Sequence, residues 1–164
     1  MSLSTIDPAD FRQILGNYPT GVCAITALDG DSQPVGMVVG TFTSVSLDPP
    51  LVGFLPDKGS SSWLKIEQAG QFCVNVLGSD QQQVCRQLAA PGPDKFSGIE
   101  FEISDLDLPI IAGALVCIEC RINSVADAGD HWFVLGDVLR LAAPRDDDPM
   151  LFHRGRYGGF ARFD

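Results

Sequence analysis

The stretch Gly36-Met-Val-Val-Gly-Thr-Phe-Thr-Ser-Val-Ser-Leu-Asp-Pro-Pro50 combines glycine, small hydroxyl residues and β-formers, and it ends at a double proline. Valine, threonine and phenylalanine favour strands, whereas proline cannot donate a hydrogen bond to a sheet. The run therefore predicts a strand that is interrupted at Pro49 and Pro50. A strand of small residues leaves its backbone N–H and C=O groups accessible, which suits a flat ligand with a polar edge.

A second feature follows eight residues later, where Lys58-Gly-Ser-Ser-Ser62 precedes a predicted helix. Backbone N–H groups at a Gly-Ser turn and at a helix start can bind a phosphate, and the helix dipole favours its charge. Lys58 adds a cation, and Ser60, Ser61 and Ser62 add hydroxyl donors. The alternative is an ordinary capped helix after a surface turn, because serine is a common N-cap residue.

The strand and the lysine–serine turn lie close together in the chain, which strengthens the case that they bind one ligand. Residues 39–46 could present amides and carbonyls to the pyrimidine edge of a ring, or they could form a core strand with outward threonines. A ring site followed closely by an anion site favours a phosphorylated heterocycle such as a flavin.

Three further motifs are candidate site residues. His131, in Gly129-Asp-His-Trp132, begins a predicted strand, where it could contact a nicotinamide or a flavin's reactive centre, or be a plain turn residue. Phe96, in Asp94-Lys-Phe-Ser-Gly98, is either an aromatic wall of the ligand site or a loop anchor that packs inward. His153-Arg-Gly-Arg-Tyr157 could contact a phosphate or stack on a base, or be an exposed basic tail.

Hydrophobic periodicity and turn residues predict many short strands and a few helices. The predicted strands are 22–28, 33–42, 51–55, 72–77, 114–123 and 131–141. The predicted helices run from the N-cap Asp7 to about Gly16, from Ser60 or Ser61 to Ala69, and from Ser79 or Asp80 to about Ala89. These elements do not alternate as regular βαβ units, so we predict a mainly β, antiparallel barrel with peripheral helices, in one domain spanning 1–164.

Composition excludes several classes of partner. A formal net charge of −10 over 164 residues argues against nucleic acid or an anionic membrane as partner, because both require clustered cations. No apolar run approaches the roughly 18–20 residues needed to cross a bilayer, and the N-terminus lacks a signal pattern. We therefore predict a cytoplasmic protein.

Metal and redox chemistry is not indicated. The five cysteines are an odd number without framework spacing, which favours reduced thiols. Cys117 and Cys120 form a C-x-x-C, but their spacing in a strand points the two sulfurs to opposite faces. The two histidines lie too far apart in sequence for metal-ligand spacing, so no metal is predicted.

Motifs of other enzyme classes are missing from the sequence. No G-x-G-x-x-G follows a strand, which argues against a standard dinucleotide-binding fold. The phosphate-binding loop of nucleotide triphosphatases and the G-x-S-x-G elbow of serine hydrolases are also missing.

Six motifs in order resemble one known family, the short-chain flavin reductases of the FMN-binding split-barrel fold. They are Tyr18-Pro-Thr-Gly-Val22, Gly36–Pro50, Phe72-Cys-Val-Asn-Val-Leu77, Asp94-Lys-Phe-Ser-Gly98, Gly129-Asp-His131 and Gly155-Arg-Tyr157. The likeness runs from about Asp10 to Tyr157, and it is greatest to the reductase components of two-component flavin-dependent monooxygenases.

The resemblance implies a homodimeric split barrel with flavin, as FMN or FAD, bound near the dimer interface. The implied ring and ribityl contacts are Val39, Gly40, Thr41, Phe42, Thr43, Val45 and Ser46. Lys58, Ser60, Ser61 and Ser62 would hold the phosphate, and Phe96 would border the flavin. His131 would lie where the nicotinamide of NADH or NADPH docks, with Pro19, Thr20 and Tyr157 nearby.

The implied activity is that of an NAD(P)H:flavin oxidoreductase, in which a hydride passes from the nicotinamide to the flavin. His131 would have a supporting catalytic role, and reduced flavin would reach a partner monooxygenase by diffusion or transient contact. The alternatives are a non-catalytic flavin-storage module and a split-barrel FMN enzyme that acts on another small molecule. The sequence leaves open the choices between FMN and FAD and between NADH and NADPH.

The chain departs from the family pattern within its most informative stretch. Where many relatives read Gly-Met-Thr-Ala-Asn-Ser-Phe, this chain reads Gly36-Met-Val-Val-Gly-Thr-Phe42. Because Val38 and Gly40 replace polar side chains, we expect either a flavin held more by backbone or a changed flavin affinity and preference.

Overall fold

The computed structural model describes residues 5–163 of the chain, which form helices and short antiparallel strands. The helices are α1 (Pro8–Leu15), α2 (Ser61–Ala69) and α3 (Gln82–Ala89). The strands are β1 (Thr20–Gly21), β2 (Cys23–Leu28), β3 (Pro34–Val39), β4 (Thr43–Leu47), β5 (Pro50–Phe54), β6 (Gln71–Val76), β7 (Phe101–Ile103), β8 (Pro109–Ile111), β9 (Val116–Ala128), β10 (His131–Ala142), β11 (Leu151–His153) and β12 (Arg156–Gly158). The prediction of a mainly β, antiparallel fold with helices is confirmed.

The main sheet has seven strands in the order β3-β2-β6-β9-β10-β5-β4, and every neighbouring pair is antiparallel. Its two edge strands, β3 and β4, follow each other in the chain. Laid flat, seven strands would separate those edges by about 29 Å, whereas the Val39–Thr43 link spans at most about 14 Å. The sheet must therefore curl until its edges face each other.

Buried side chains fill the inside of this curl and its junction with α2. Phe54 makes edge-to-face contacts with Trp63 of α2, at 5.8 Å between ring centroids, and with Phe72 of β6, at 5.1 Å. All three side chains are fully buried. Burying a large aromatic side chain contributes roughly 1.5–3 kcal/mol each, so this cluster fixes α2, and the loop before it, against the sheet.

Local capping explains the first two helices. Asp7 accepts a hydrogen bond from the Ala9 N–H at 2.7 Å and starts α1, while Ser60 accepts one from the Trp63 N–H at 3.2 Å and starts α2. Gly70, at φ 72°, ends α2 in the left-handed conformation that glycine adopts without a steric penalty. Both predicted N-caps and the glycine stop are confirmed.

The predicted start of the third helix is wrong. α3 begins at Gln82, and its N-cap Gln81 makes no side-chain capping bond. Asp80 instead forms a two-pronged ion pair with the Arg145 guanidinium, at 2.6 and 2.9 Å. A charge-assisted pair of this kind is stronger than a neutral cap, so Asp80 is engaged elsewhere.

The predicted strand 33–42 is too long, because β3 ends at Val39 and a separate strand, β4, begins at Thr43. Pro49 lies in the turn of the β4–β5 hairpin, and Pro50 pairs with Leu47. The double proline therefore makes the turn between edge strand β4 and β5, and Pro50 is the first residue of β5, where a missing N–H is tolerated. The short strands β1, β7, β8, β11 and β12 were not predicted, since two or three residues carry too little periodicity.

The five cysteines are unpaired and buried. Cys120 packs in the main core cluster and Cys117 in a separate one, which confirms that their sulfurs face opposite sides of β9. Burial raises the pKa of Cys117 to about 11 and that of Cys120 to about 12. Within residues 5–163, no group of three or more His, Cys, Asp or Glu side chains is placed to hold a metal ion. Over the same residues, no helix is long and apolar enough to span a membrane.

Candidate active site

The segment from Val39 to Ser46 runs along an open edge of the sheet. β4 is an edge strand, so among the described residues one side of its backbone has no partner strand. Thr43, Ser44 and Val45 are exposed, and the pairing with β5 shifts register between Ser44 and Ser46. A bulge of this kind leaves backbone groups unpaired and re-aims side chains. The segment thus combines accessible amides and carbonyls with small side chains.

Gly40 is held against Thr20 at the start of this segment. A Cβ atom added at Gly40 would lie 2.7 Å from the Thr20 Oγ1 atom, closer than real contacts allow. An asparagine at this position, as the family pattern implies, would therefore require Thr20 to move. The close packing of the Thr20 side chain gives a physical reason for glycine here.

Hydrogen bonds join this segment to the lysine–serine loop and to the His131 turn. The Thr41 Oγ1 atom accepts from the Leu55 N–H at 2.9 Å, immediately before that loop. The Lys58 N–H donates to the Asp130 carbonyl at 3.0 Å, and an isolated antiparallel bridge pairs residues 57 and 131. The structure therefore brings three separately predicted motifs to one end of the sheet.

Lys58 is paired within the chain. Its Nζ atom lies 2.5 Å from an Asp127 carboxylate oxygen and 4.4 Å from the centroid of the Trp132 ring. The hydrogen bond from Lys58 holds the pKa of Asp127 below its usual value. Asp127 is largely exposed, so water screens this pair and an incoming phosphate can compete for the ammonium.

His131 is oriented by its neighbour in the chain. Its Nδ1 atom lies 2.7 Å from an Asp130 carboxylate oxygen, and the hydrogen bond lowers the pKa of Asp130. Because a carboxylate accepts, Nδ1 carries the proton in this pair, and in the neutral imidazole Nε2 is then an acceptor. The imidazole is about two-fifths exposed, so this second nitrogen can meet a ligand donor.

The three serines of the loop have different surroundings. Ser60 caps α2, Ser61 is exposed on its first turn, and Ser62 is buried with its hydroxyl accepting from Lys95 Nζ at 3.1 Å. Ser61, Ser62 and Lys95 also line a cavity of about 300 Å³, together with Lys65. Burial lowers the pKa of Lys95.

Sequence reasoning missed Lys95 as a site residue. Its position next to Phe96 in the Asp94–Gly98 motif could have indicated it.

Phe96 packs inward from its loop against Gly36, one of the residues that line this cavity. It contacts Phe101 edge to face at 5.3 Å, and its ring lies so close to Gly36 that an added Cβ would approach it to 3.1 Å. Phe96 is therefore a loop anchor and lies beside a candidate ligand space as well.

The residues assigned to the nicotinamide separate into two groups. Thr20 and Tyr157 line a cavity of about 210 Å³ together with Val39 and Gly40, while Pro19 and Tyr157 line a larger adjoining cleft. Among the described residues, no hydrogen bond joins them to His131, and His131 does not line either of these two cavities. The hydroxyl of Tyr157 bonds to Cys85, which raises the pKa of Tyr157 to about 12.

The arrangement can bind a flat ring along an exposed strand edge and an anion at the loop before a helix. A family model described as the flavin reductase like domain matches residues 15–161. The chain belongs to the flavin reductase-like family.

Named relatives agree with this assignment. A flavin reductase from Pseudomonas putida is 56% identical to this flavin reductase-like protein over 158 residues, which cover 96% of the chain and 93% of the relative. The reductase subunit of a flavin-dependent monooxygenase from Rhodococcus jostii is 46% identical, with 97% of this chain and 81% of the relative covered.

A solved structure has the same fold. The nitrilotriacetate monooxygenase component B homologue from Mycobacterium thermoresistibile matches this flavin reductase-like protein with a TM-score of 0.89 and 45% sequence identity. The match covers 93% of this chain and 86% of the other. Strand order and helix positions described above are therefore those of a flavin reductase-like domain.

Proposed function

We propose that this flavin reductase-like protein is an NAD(P)H:flavin oxidoreductase that supplies reduced flavin to a partner monooxygenase. The observation that carries the proposal is the Thr41–Leu55 hydrogen bond, which holds the link before edge strand β4 against the chain that leads from β5 into the lysine–serine loop. Two relatives, at 43% and 35% identity, are named FMN reductase (NADH) and NADH-dependent FAD reductase. We propose FMN or FAD as the flavin and NADH or NADPH as the electron donor.

A flavin fits the residues that line this end of the sheet. The backbone of Val39–Thr43, in which Val39 is buried and Gly40, Thr41 and Thr43 are exposed, would hold the ring and the ribityl chain by main-chain hydrogen bonds, together with Val45 and Ser46. Lys58 and Ser60–Ser62 would bind the phosphate, since the N-terminus of α2 and the ammonium both favour an anion. Phe96 would form a wall of the site.

The bound flavin supplies the hydride acceptor, and the protein positions the two ring systems. His131 would accept a hydrogen bond through Nε2 from the carboxamide of the nicotinamide, with Asp130 fixing the tautomer. Pro19, Thr20 and Tyr157 would border the donor from the Gly40 side. Only orientation is required of these side chains, because the hydride moves between the two cofactors.

We also propose that the chain is a single split-barrel domain spanning 1–164 and that two copies pair. Helix α1 buries no side chain in the single chain, although Phe11, Ile14 and Leu15 are apolar. Leu47 on β4 is 96% exposed, and Leu141 on β10 is 66% exposed. Exposed apolar groups on this scale favour an interface. Light scattering on the purified protein tests the proposal, and a monomeric mass at micromolar concentration would reject it.

Turnover separates the proposed activity from its alternatives. Purified protein is mixed with NADH or NADPH and with free FMN or FAD, and the near-ultraviolet absorbance of the reduced nicotinamide is followed. Consumption of many equivalents of nicotinamide per protein supports the reductase. Bound flavin without turnover would indicate a storage module, and turnover only with another small molecule as acceptor would indicate a different enzyme of the same fold.

A further inference from the structure

The β11–β12 hairpin concentrates positive charge near the C-terminus. His153 pairs with Arg156 across the hairpin, and the turn consists of Arg154 and Gly155, both at positive φ. Directly opposed residues project from the same face, so His153 and Arg156 share one side of the hairpin. Phe152 and Tyr157 share the other side, where their rings meet at 5.3 Å between centroids.

Acidic side chains do not balance this charge. Within residues 5–163, Lys58, Lys65, Arg121, Arg140 and Arg145 each lie within 4.0 Å of a carboxylate, whereas Arg12, Arg86, Lys95 and Arg162 do not. No carboxylate of the described residues lies within that distance of Arg154 or Arg156 either. Arg154 donates one hydrogen bond, from Nε to the Asn17 side chain at 2.8 Å, and Arg156 has no side-chain partner over the same residues. Arg154 and Arg156 differ from the other unpaired cations because they lie at one turn, so their charges add at one place and favour an anion from outside.

The two arginines line a concave space. Together with Pro19, His153, Tyr157 and Gly159 they border a cleft of about 720 Å³, which is hereafter the basic cleft. Its volume lies in the usual range for small-molecule sites. Guanidinium groups bind phosphate oxygens through paired N–H donors, so the chemistry of the wall matches a phosphorylated ligand.

The basic cleft also adjoins the proposed ring site. Tyr157 lines both the basic cleft and the smaller cavity formed by Thr20, Val39 and Gly40. A ligand with a ring beside Gly40 and a phosphorylated extension would pass Tyr157 and reach the arginines. The flavin phosphate that FMN and FAD share is assigned to Lys58 and the serine loop, so the phosphorylated group left for the arginines is the adenosine diphosphate end of a dinucleotide.

We infer that the basic cleft binds the adenosine diphosphate portion of a dinucleotide, with Arg156 as the main phosphate contact and Arg154 as a second. The inference rests on the proposed function for the identity of the ligand. FAD and the reduced nicotinamide dinucleotide carry the same portion, whereas FMN lacks it.

Direct binding is tested first, with ADP as the probe and titration calorimetry as the measurement. We expect ADP to bind the wild-type protein, and Arg156→Gln to weaken binding about 10-fold, the usual effect of losing one charge-assisted hydrogen bond. Arg156→Lys keeps the charge but loses the planar guanidinium, so its affinity for ADP should lie between those of the wild type and Arg156→Gln. Arg121→Gln on β9 is the matched control, because it also removes one exposed arginine and should bind ADP normally.

Steady-state kinetics then identify the dinucleotide. If FAD occupies the basic cleft, Arg156→Gln raises the KM for FAD about 10-fold and leaves that for FMN unchanged. If the nicotinamide dinucleotide occupies it, the KM for NADH rises by the same factor with either flavin. Thermal unfolding of each variant, expected at the wild-type midpoint because the side chain is exposed, shows that the fold is intact.

ADP binding and turnover distinguish failure of the inference from failure of the proposed function. ADP binding that is absent in the wild type, or equal in wild type and Arg156→Gln, overturns the inference while leaving the reductase activity in place. A wild-type protein that binds ADP through Arg156 but oxidises no reduced nicotinamide with either flavin rejects the proposed function instead.

Discussion

Thr41 and Leu55 are joined by two hydrogen bonds, because the Thr41 hydroxyl oxygen accepts from the Leu55 N–H at 2.9 Å and the hydroxyl donates to the Leu55 carbonyl at 3.3 Å. One threonine side chain thus takes the place of a strand partner at the end of β5. It fixes the link between the two edge strands of the curled sheet to the start of the Lys58 loop.

Replacing this hydroxyl should loosen the site. Thr41→Val keeps the shape and removes both hydrogen bonds, so we expect the unfolding free energy to fall by about 1 kcal/mol and flavin to bind several-fold more weakly. Urea unfolding and flavin fluorescence titration measure the two effects. Thr43→Val is the control, since the Thr43 hydroxyl bonds only to the adjacent Ser44 carbonyl. Equal losses in both variants would contradict the role given to Thr41.

Enlarging Gly40 should strain the contact with Thr20. We expect Gly40→Ala to lower the unfolding free energy by about 1–3 kcal/mol, because its Cβ would meet the Thr20 Oγ1 atom at 2.7 Å. Thr20→Ala removes that oxygen and leaves the Thr20 Cβ at 3.5 Å, an ordinary contact. The double variant should therefore regain much of the loss. Simple addition of the two single effects in urea unfolding would argue against direct contact.

The Lys58–Asp127 pair should set the affinity for flavin phosphate. Lys58→Met is expected to weaken FMN binding about 10-fold and riboflavin binding little, because riboflavin lacks the phosphate. Asp127→Asn releases the ammonium from its competitor and should strengthen FMN binding. Fluorescence titrations with both flavins measure the ratio. If Lys58→Met weakened both flavins equally, Lys58 would be a structural residue of the loop.

Changing His131 should affect the electron donor more than the flavin. We expect His131→Ala to raise the KM for reduced nicotinamide strongly while the dissociation constant of flavin stays near wild type. Asp130→Asn leaves the imidazole in place but weakens control of its tautomer, so its effect should be smaller. If the steady-state kinetics of His131→Ala equalled those of the wild type, His131 would not belong to the proposed site.

Acid should destabilise the fold through its paired carboxylates. The hydrogen bonds from Arg145 lower the pKa of Asp80 from 3.8, and those from Asn123 and Arg121 lower the pKa of Asp137. A carboxyl with a lower pKa in the folded state stabilises the protein above its unfolded pKa, and this contribution is lost as the pH falls through the folded value.

Urea unfolding at neutral and acid pH checks this sign. The free energy of unfolding should fall as the pH drops below about 4, and Asp80→Asn should show a smaller fall because it removes one of the titrating groups. An equal pH dependence in the variant and the wild type would exclude Asp80 as a contributor.

Sequence by itself determined the features that depend on neighbouring residues. The caps at Asp7 and Ser60 and the glycine stop at Gly70 follow from hydrogen bonds within one helical turn, and all three are found. The ordered motifs also identified the family, because together they preserve the strand pattern and its turns. The antiparallel hairpin of β2 and β3 likewise follows from the turn between them.

Tertiary structure alone decided which groups pair across the fold. Asp80 forms an ion pair with Arg145, 65 positions away, and therefore does not cap α3. Lys58 forms an ion pair with Asp127, 69 positions away. The strand order makes β3 and β4 the two edges of the main sheet, and the curl of that sheet brings them to face each other. Such pairings depend on where distant segments lie after packing, and no local pattern encodes that distance. The sequence could not show that Arg156 lacks a carboxylate partner among the described residues, because ion pairing between distant residues is set by the tertiary structure.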